Sequence, residues 1–127
     1  MADFDTVLAG RVILTDREIS RGFVAIREGK TALIGEGPAP AGRENHDFGT
    51  GLLLPGAIDA QVHSLSQKGA EGFAASTRAA AAGGVTTIVD MPYDEGNLVC
   101  SAEAVRRKVA MIDEEARIDV ALYGTVD

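Results

Sequence analysis

Only one cysteine, Cys100, occurs in the 127 residues. A lone thiol excludes an internal disulfide framework and suits a reducing compartment. Basic blocks are also missing. Twelve Lys and Arg face 19 Asp and Glu, for a net charge of -7. Nucleic acid would call for a basic patch, so a polyanionic partner is not expected. No apolar run approaches the roughly 20 residues of a membrane span, so no membrane partner is expected either. The start, Met1-Ala2-Asp3-Phe4-Asp5, is acidic and lacks the basic and apolar segments of a secretory signal. The expectation is a cytoplasmic chain. What is present, 46% hydrophobic and 24% charged residues, matches a soluble globular protein of one ordinary domain's length.

Two zones differ in texture. Residues 4–51 read as β. Phe4–Leu14 alternates loosely, with Gly10 expected at a turn. Ile19–Arg27 and Thr31–Gly35 flank Glu28-Gly29-Lys30, a hairpin-type turn. Residues 37–42 form a loop, and Arg43–Phe48 is strand-like. From Leu52 the pattern becomes alternating strand and helix. Leu52–His63 reads as one strand. Gly72–Ala82 reads as an alanine-rich helix stopped by Gly83-Gly84. Val85–Asp90 is β-branched and apolar, a strand expected to be buried on both faces. Residues 91–97 form a loop. Ser101 can cap a helix running to about Arg117. Its apolar residues Ala102, Val105, Val109, Ile112 and Ala116 predict one buried stripe, with Arg106, Arg107, Lys108, Glu114 and Glu115 largely outside it. Ile118–Tyr123 reads as a third buried-type strand.

This order implies an α/β fold with parallel strands. Three strands and two helices cannot close a barrel, which takes roughly 250 residues. The chain also ends on a strand. The expectation is the N-terminal part of a longer polypeptide, or else a small open sheet covered by a partner.

Residues 52–64, Leu-Leu-Leu-Pro-Gly-Ala-Ile-Asp-Ala-Gln-Val-His-Ser, carry the chemistry. Regular alternation puts Asp59, Gln61 and His63 on one face of an apolar strand. Such a polar trio is costly inside a protein unless something there needs it. A metal ion or a polar substrate at the strand's end is the simplest need.

Residues Leu54–His63 and Thr77–Pro92 resemble the cyclic amidohydrolases: hydantoinases, dihydropyrimidinases, allantoinases and dihydroorotases. The resemblance covers essentially the whole chain and is most specific over Thr77–Pro92. It implies a small β-sandwich domain over 1–51. Residues 52–127 would then be the first three strands of a (β/α)8 TIM barrel. It further implies one or two divalent metal ions, usually zinc. A metal-bound hydroxide would open a small cyclic amide such as a hydantoin, dihydropyrimidine or allantoin. A homo-oligomer is implied for the full-length form.

In that family the first barrel strand ends in His-x-His, both imidazoles facing the C-terminal mouth. Here the motif is Gln61-Val62-His63. His63 carries over as a metal ligand. Gln61 carries over only as a position, because a neutral carbonyl oxygen is a poor zinc ligand beside imidazole. One site of a metal pair is then weakened or absent. Ser64, Asp59 and Asp90 are the other candidates to line the site. Asp59 could orient His63 if buried beside it, and Asp90 could equally cap the loop after its strand.

Dihydroorotases usually follow the second histidine with an arginine, where this chain has Ser64-Leu65-Ser66. They tend to place asparagine after Met-Pro, where this chain has Tyr93-Asp94. An acidic ring would lack its clamp and meet Asp94, which disfavours that branch. His46 lies away from the motif and has no assigned role. Cys100 reads as a buried bystander. Gly83-Gly84 ends a helix and so does not form an anion-binding loop.

Two other function classes stay open. Gln61 would suit a catalytically silent amidohydrolase-like protein acting in assembly or binding. The length alone would suit a small α/β binding module.

Overall fold

The computed structural model describes residues 3–126. The chain divides after Pro55 into two compact units.

In the first unit, β1 (Phe4–Ile13), β2 (Glu18–Arg27), β3 (Lys30–Glu36) and β4 (Gly42–Leu53) form one mixed sheet in the order β3-β2-β1-β4. β1 pairs antiparallel with β2 and parallel with β4. The β2–β3 hairpin turns at Glu28 and Gly29, both with positive φ (52° and 70°). That backbone twist matches the flanking strands. Gly10 does not sit at a turn as expected: β1 runs through it and absorbs the irregularity as a bulge before Val12. Val7, Phe23 and Ala25 form the buried core, with Phe4 packed against them.

In the second unit, β5 (Ala57–Val62), β6 (Val85–Asp90) and β9 (Asp119–Leu122) make a parallel sheet in the order β5-β6-β9. Helix α1 (Gly72–Ala82) connects the first pair and α2 (Ala102–Glu115) the second. Parallel neighbours need such crossovers. The alanine-rich α1 ends at Gly83, whose amide reaches Ala79 O and Ala80 O, and Gly84 follows at φ 82°. Ser101 caps α2 by accepting the Ala104 amide at 3.2 Å.

Several expectations require correction. Leu52–His63 is not one strand. Leu52 and Leu53 close β4, and Leu54-Pro55-Gly56 separates it from β5. Proline supplies no ladder N–H, which explains a break there. Residues 91–97 are not simply a loop, since β7 (Tyr93–Asp94) pairs with β8 (Asn97–Leu98) in a short hairpin. Helix α2 ends at Glu115 with Ala116 as its C-cap, in keeping with the expected end at about Arg117.

The buried side of α2 is also different. Ala104 and Lys108 are its buried residues, whereas Val105 and Val109 are 38% and 40% exposed. β6 buries only Ile88 and Asp90, and Thr86 is exposed. β9 alternates exposed and half-buried residues. Cys100 is exposed, while its neighbour Val99 takes the interior position. Neither a second layer on the mixed sheet nor a closed barrel occurs among the described residues. No helix among them is long and apolar enough to cross a membrane.

Candidate functional site at the C-terminal edge of the parallel sheet

β5 and β6 run side by side and end together, Val62 opposite Asp90. The Met91 amide donates to Val62 O at 2.8 Å, and the Tyr123 amide to Asp90 O at 3.0 Å. The three strand ends are therefore tied into one edge.

Asp59 and Gln61 lie in β5, and His63 follows immediately after it; all three are exposed. The regular pairing is interrupted between Asp59 and Val62. Asp59 Oδ1 accepts the Gln61 amide at 3.1 Å, an acidic side chain bonding two residues ahead as in an Asx turn. Asp59 is therefore exposed and occupied by its own strand, not buried as an orienting partner for His63. The ring partner is Ser66: its Oγ lies 2.9 Å from His63 Nδ1, leaving Nε2 free. Ser66 is absent from the sequence-derived candidates. The available signal is a hydroxyl three residues past a histidine at a strand end.

Ser64 and Asp90 are brought together inside the protein, 2% and 0% exposed. Asp90 Oδ1 accepts the Ser64 amide at 2.9 Å. Ser64 Oγ accepts the Ser76 hydroxyl at 3.1 Å, and Ser64 O accepts the Gly72 amide at 3.2 Å. The other Asp90 oxygen faces Lys108 Nζ at 2.7 Å. Lys108 Nζ also donates to Met91 O at 2.8 Å and to Asp94 Oδ1 at 2.5 Å, and it lies 5.9 Å from the Phe73 ring centroid. Burial of a lysine is tolerable only with such pairing.

Helical periodicity had set Lys108 outside the buried stripe. The two carboxylates that draw it in stand 18 and 14 residues earlier in the chain, beyond the reach of a local pattern. Asp94 is likewise not a free charge awaiting a ligand, which removes one of the two arguments against an acidic ring substrate. The Cys100 thiol and the His46 ring lie elsewhere. His46 is in β4, stacked at 6.4 Å on Phe48.

Chemically, the exposed edge offers one imidazole and one primary amide. Among the described residues no group of three His, Cys, Asp or Glu could hold a metal ion. His63 alone does not make up a metal centre, so these residues do not fit a complete one. A cavity of about 350 Å³ in this unit is lined by residues including Leu65, Asp94, Glu95, Val99 and Met111, and not by Gln61 or His63.

No protein-family model matches the chain. Individual relatives do. An allantoinase of Streptomyces avermitilis is 37% identical over 98% of this chain, and one of Rubrobacter xylanophilus is 35% identical over 99%. The D-hydantoinase structure from Bacillus sp. AR9 superposes with a TM-score of 0.75 at 29% identity over 93% of this chain. The chain spans 29%, 28% and 26% of those three proteins, under a third of each.

Proposed function

From the premise that this chain is homologous to the N-terminal portion of the allantoinase and D-hydantoinase cyclic amidohydrolases, we propose that it serves a hydrolase that opens a small cyclic amide, of allantoin or hydantoin type. The observation carrying this reading is 37% identity to an allantoinase across nearly the entire chain. The parallel order β5-β6-β9, with His63 at the C-terminal end of β5, supports it, because barrel active sites gather at that end.

Residues 1–51 would then supply part of a β-sandwich, and residues 52–127 the first β/α units of a TIM barrel. Exposed apolar side chains fit this. Leu52 and Leu54 are 51% and 63% exposed, and Ile58 in β5 is 68% exposed. Surfaces of that kind ordinarily receive further structure. His63 would contribute one ligand to a divalent metal, zinc by preference, with Nε2 as the available donor. The other ligands would have to come from outside these residues. Gln61, Asp59, Ser64 and Asp90 would lie at or beneath the same site. A homo-oligomer acting in the cytoplasm completes the proposal.

The test is an assay of the polypeptide that carries this segment, with allantoin, hydantoin and dihydrouracil as substrates and with bound metal counted. Ring opening of at least one substrate, abolished in His63→Ala together with part of the metal, is expected. No turnover and no retained divalent metal would overturn the reading.

Gln61 favours a second reading, a silent relative acting in assembly or binding. Wild-type ring opening eliminates it. Metal uptake gained only in Gln61→His supports it.

A further inference from the structure

Asp90 accepts a hydrogen bond at Oδ1 and forms an ion pair at Oδ2, which has no hydrogen-bond partner, and the ring-opening reading gives neither contact a task. The segment it holds is the one that carries His63. On one side of His63, Val62 O accepts the Met91 amide at 2.8 Å. On the other side, the Ser64 amide donates to Asp90 Oδ1 at 2.9 Å. Ser64 is anchored further through Ser76 Oγ and the Gly72 amide. Both peptide groups flanking His63 are thus fixed, while its ring stays exposed against Ser66 Oγ. Asp90 is itself held, its second oxygen 2.7 Å from the buried Lys108 ammonium.

We infer that Asp90 is a positioning residue: its hydrogen bond to the Ser64 amide, braced by Lys108, fixes the backbone that presents the His63 imidazole at the edge of the parallel sheet. This deepens the hydrolase reading and, for its catalytic consequence, rests on it.

Charge and hydrogen bond can be separated at this position. Lys108 faces two carboxylates, Asp90 at 0% and Asp94 at 12% exposure. Replacing Asp90 leaves a neutral Lys108–Asp94 pair, so neither substitution strands a buried charge. Asp90→Asn keeps one acceptor, a carbonyl oxygen for the Ser64 amide, and turns its NH2 towards Lys108, whose ammonium retains Asp94 and Met91 O as acceptors. Asp90→Ala keeps none. A cluster that served stability alone would move function only in step with the folded fraction, and both variants lose the same ion pair.

The experiment reads two quantities in the polypeptide carrying this segment. One is hydrogen exchange at the Ser64 amide. The other is the split between kcat and KM for the cyclic amide it opens. In Asp90→Ala, exchange at Ser64 is expected to rise about tenfold as the amide loses its acceptor. A drop in kcat of about tenfold with KM nearly unchanged is expected as well, the lower end of what losing a supporting partner costs. Asp90→Asn returns both towards wild type. Asp90→Val, closer in volume, replaces the alanine variant should that chain fail to fold. His63→Ala loses turnover yet leaves Ser64 exchange unchanged.

Wild-type exchange at Ser64 in Asp90→Ala overturns the inference, as does equal behaviour of the Ala and Asn variants. If the wild type opens no ring, the hydrolase reading fails, and the exchange data alone still decide whether Asp90 fixes this segment.

Discussion

Lys108 Nζ stands 2.7 Å from Asp90 Oδ2, with the two side chains 2% and 0% exposed. An ammonium this deep is stable only because Asp94 and the Met91 carbonyl share it. Truncating it strands two carboxylates in the interior. Lys108→Met is therefore expected to cost about 3–5 kcal/mol, the usual penalty for breaking a buried pair from one side. Urea denaturation of the polypeptide measures this. Adding Asp90→Asn and Asp94→Asn to Lys108→Met removes the stranded charges and should recover most of the loss. A triple variant as unstable as the single one would place the cost in packing against Phe73 instead.

Gly56 opens the second unit where no side chain fits. A Cβ there would overlap Thr86, its Oγ1 and Cγ2 above all. Both atoms belong to the β6 side chain that faces the start of β5. Gly56→Ala should destabilise by about 1–3 kcal/mol, the range for forced overpacking. Thr86→Ala removes the two nearest atoms and leaves only Cβ, so it should relieve part of that cost. A double-mutant cycle reads the coupling as a non-additive remainder. Additive effects would mean that the strand shifts to admit the methyl group.

These two sites mark the division between what local pattern reveals and what it conceals. The body and the C-terminal end of α1 follow from residues within a few positions: alanines that favour helix, then Gly83 and Gly84 to close it. The Ser101 cap and the turn at Glu28 and Gly29 are equally local. The break at Pro55 was also open to a local reading, since proline interrupts a ladder. Lys108 was not. Its burial follows from Asp90 at the end of β6 and Asp94 in the β7–β8 hairpin, carboxylates that only the tertiary fold brings against α2. The stripe of Val105 and Val109 has the right period for burial, yet period alone does not say whether covering structure is present in these 127 residues. At the candidate site, the strand-end location of His63 was legible in the sequence. The partner of its ring was not, because an irregular strand end lets Ser66 reach Nδ1 while Asp59 bonds its own chain.

Ser101 supplies a direct check on the start of α2. Its hydroxyl oxygen accepts the Ala104 amide at 3.2 Å, and Glu103 adds a negative charge in the first turn. Ser101→Ala should cost about 1 kcal/mol, and Ser101→Asp should be close to neutral. Chemical denaturation measures both. An alanine variant of wild-type stability would mean that the helix start is held by tertiary packing, with the cap contributing little.

The pairing of Arg11 with Glu18 carries a pH signature. Arg11 Nε and Nη2 donate to the two carboxylate oxygens at 2.8 and 2.9 Å across the β1–β2 pair. These hydrogen bonds, more than the charge attraction, hold Glu18 below the ordinary carboxylate range. A carboxyl whose folded value is depressed stabilises the fold above its unfolded value and loses that contribution as pH falls through the folded one. The pair's contribution is thus complete at neutral pH and vanishes on the acid side. Because both side chains are more than a third exposed, the effect is small and screened by salt. In a carboxyl NMR titration, Glu18 should titrate below the ordinary glutamate range. Arg11→Met should return it to that ordinary range, and Glu18→Gln should flatten the corresponding part of the stability-versus-pH curve. A Glu18 that titrates in the ordinary glutamate range in the wild type would show that the two-pronged contact does not persist in solution.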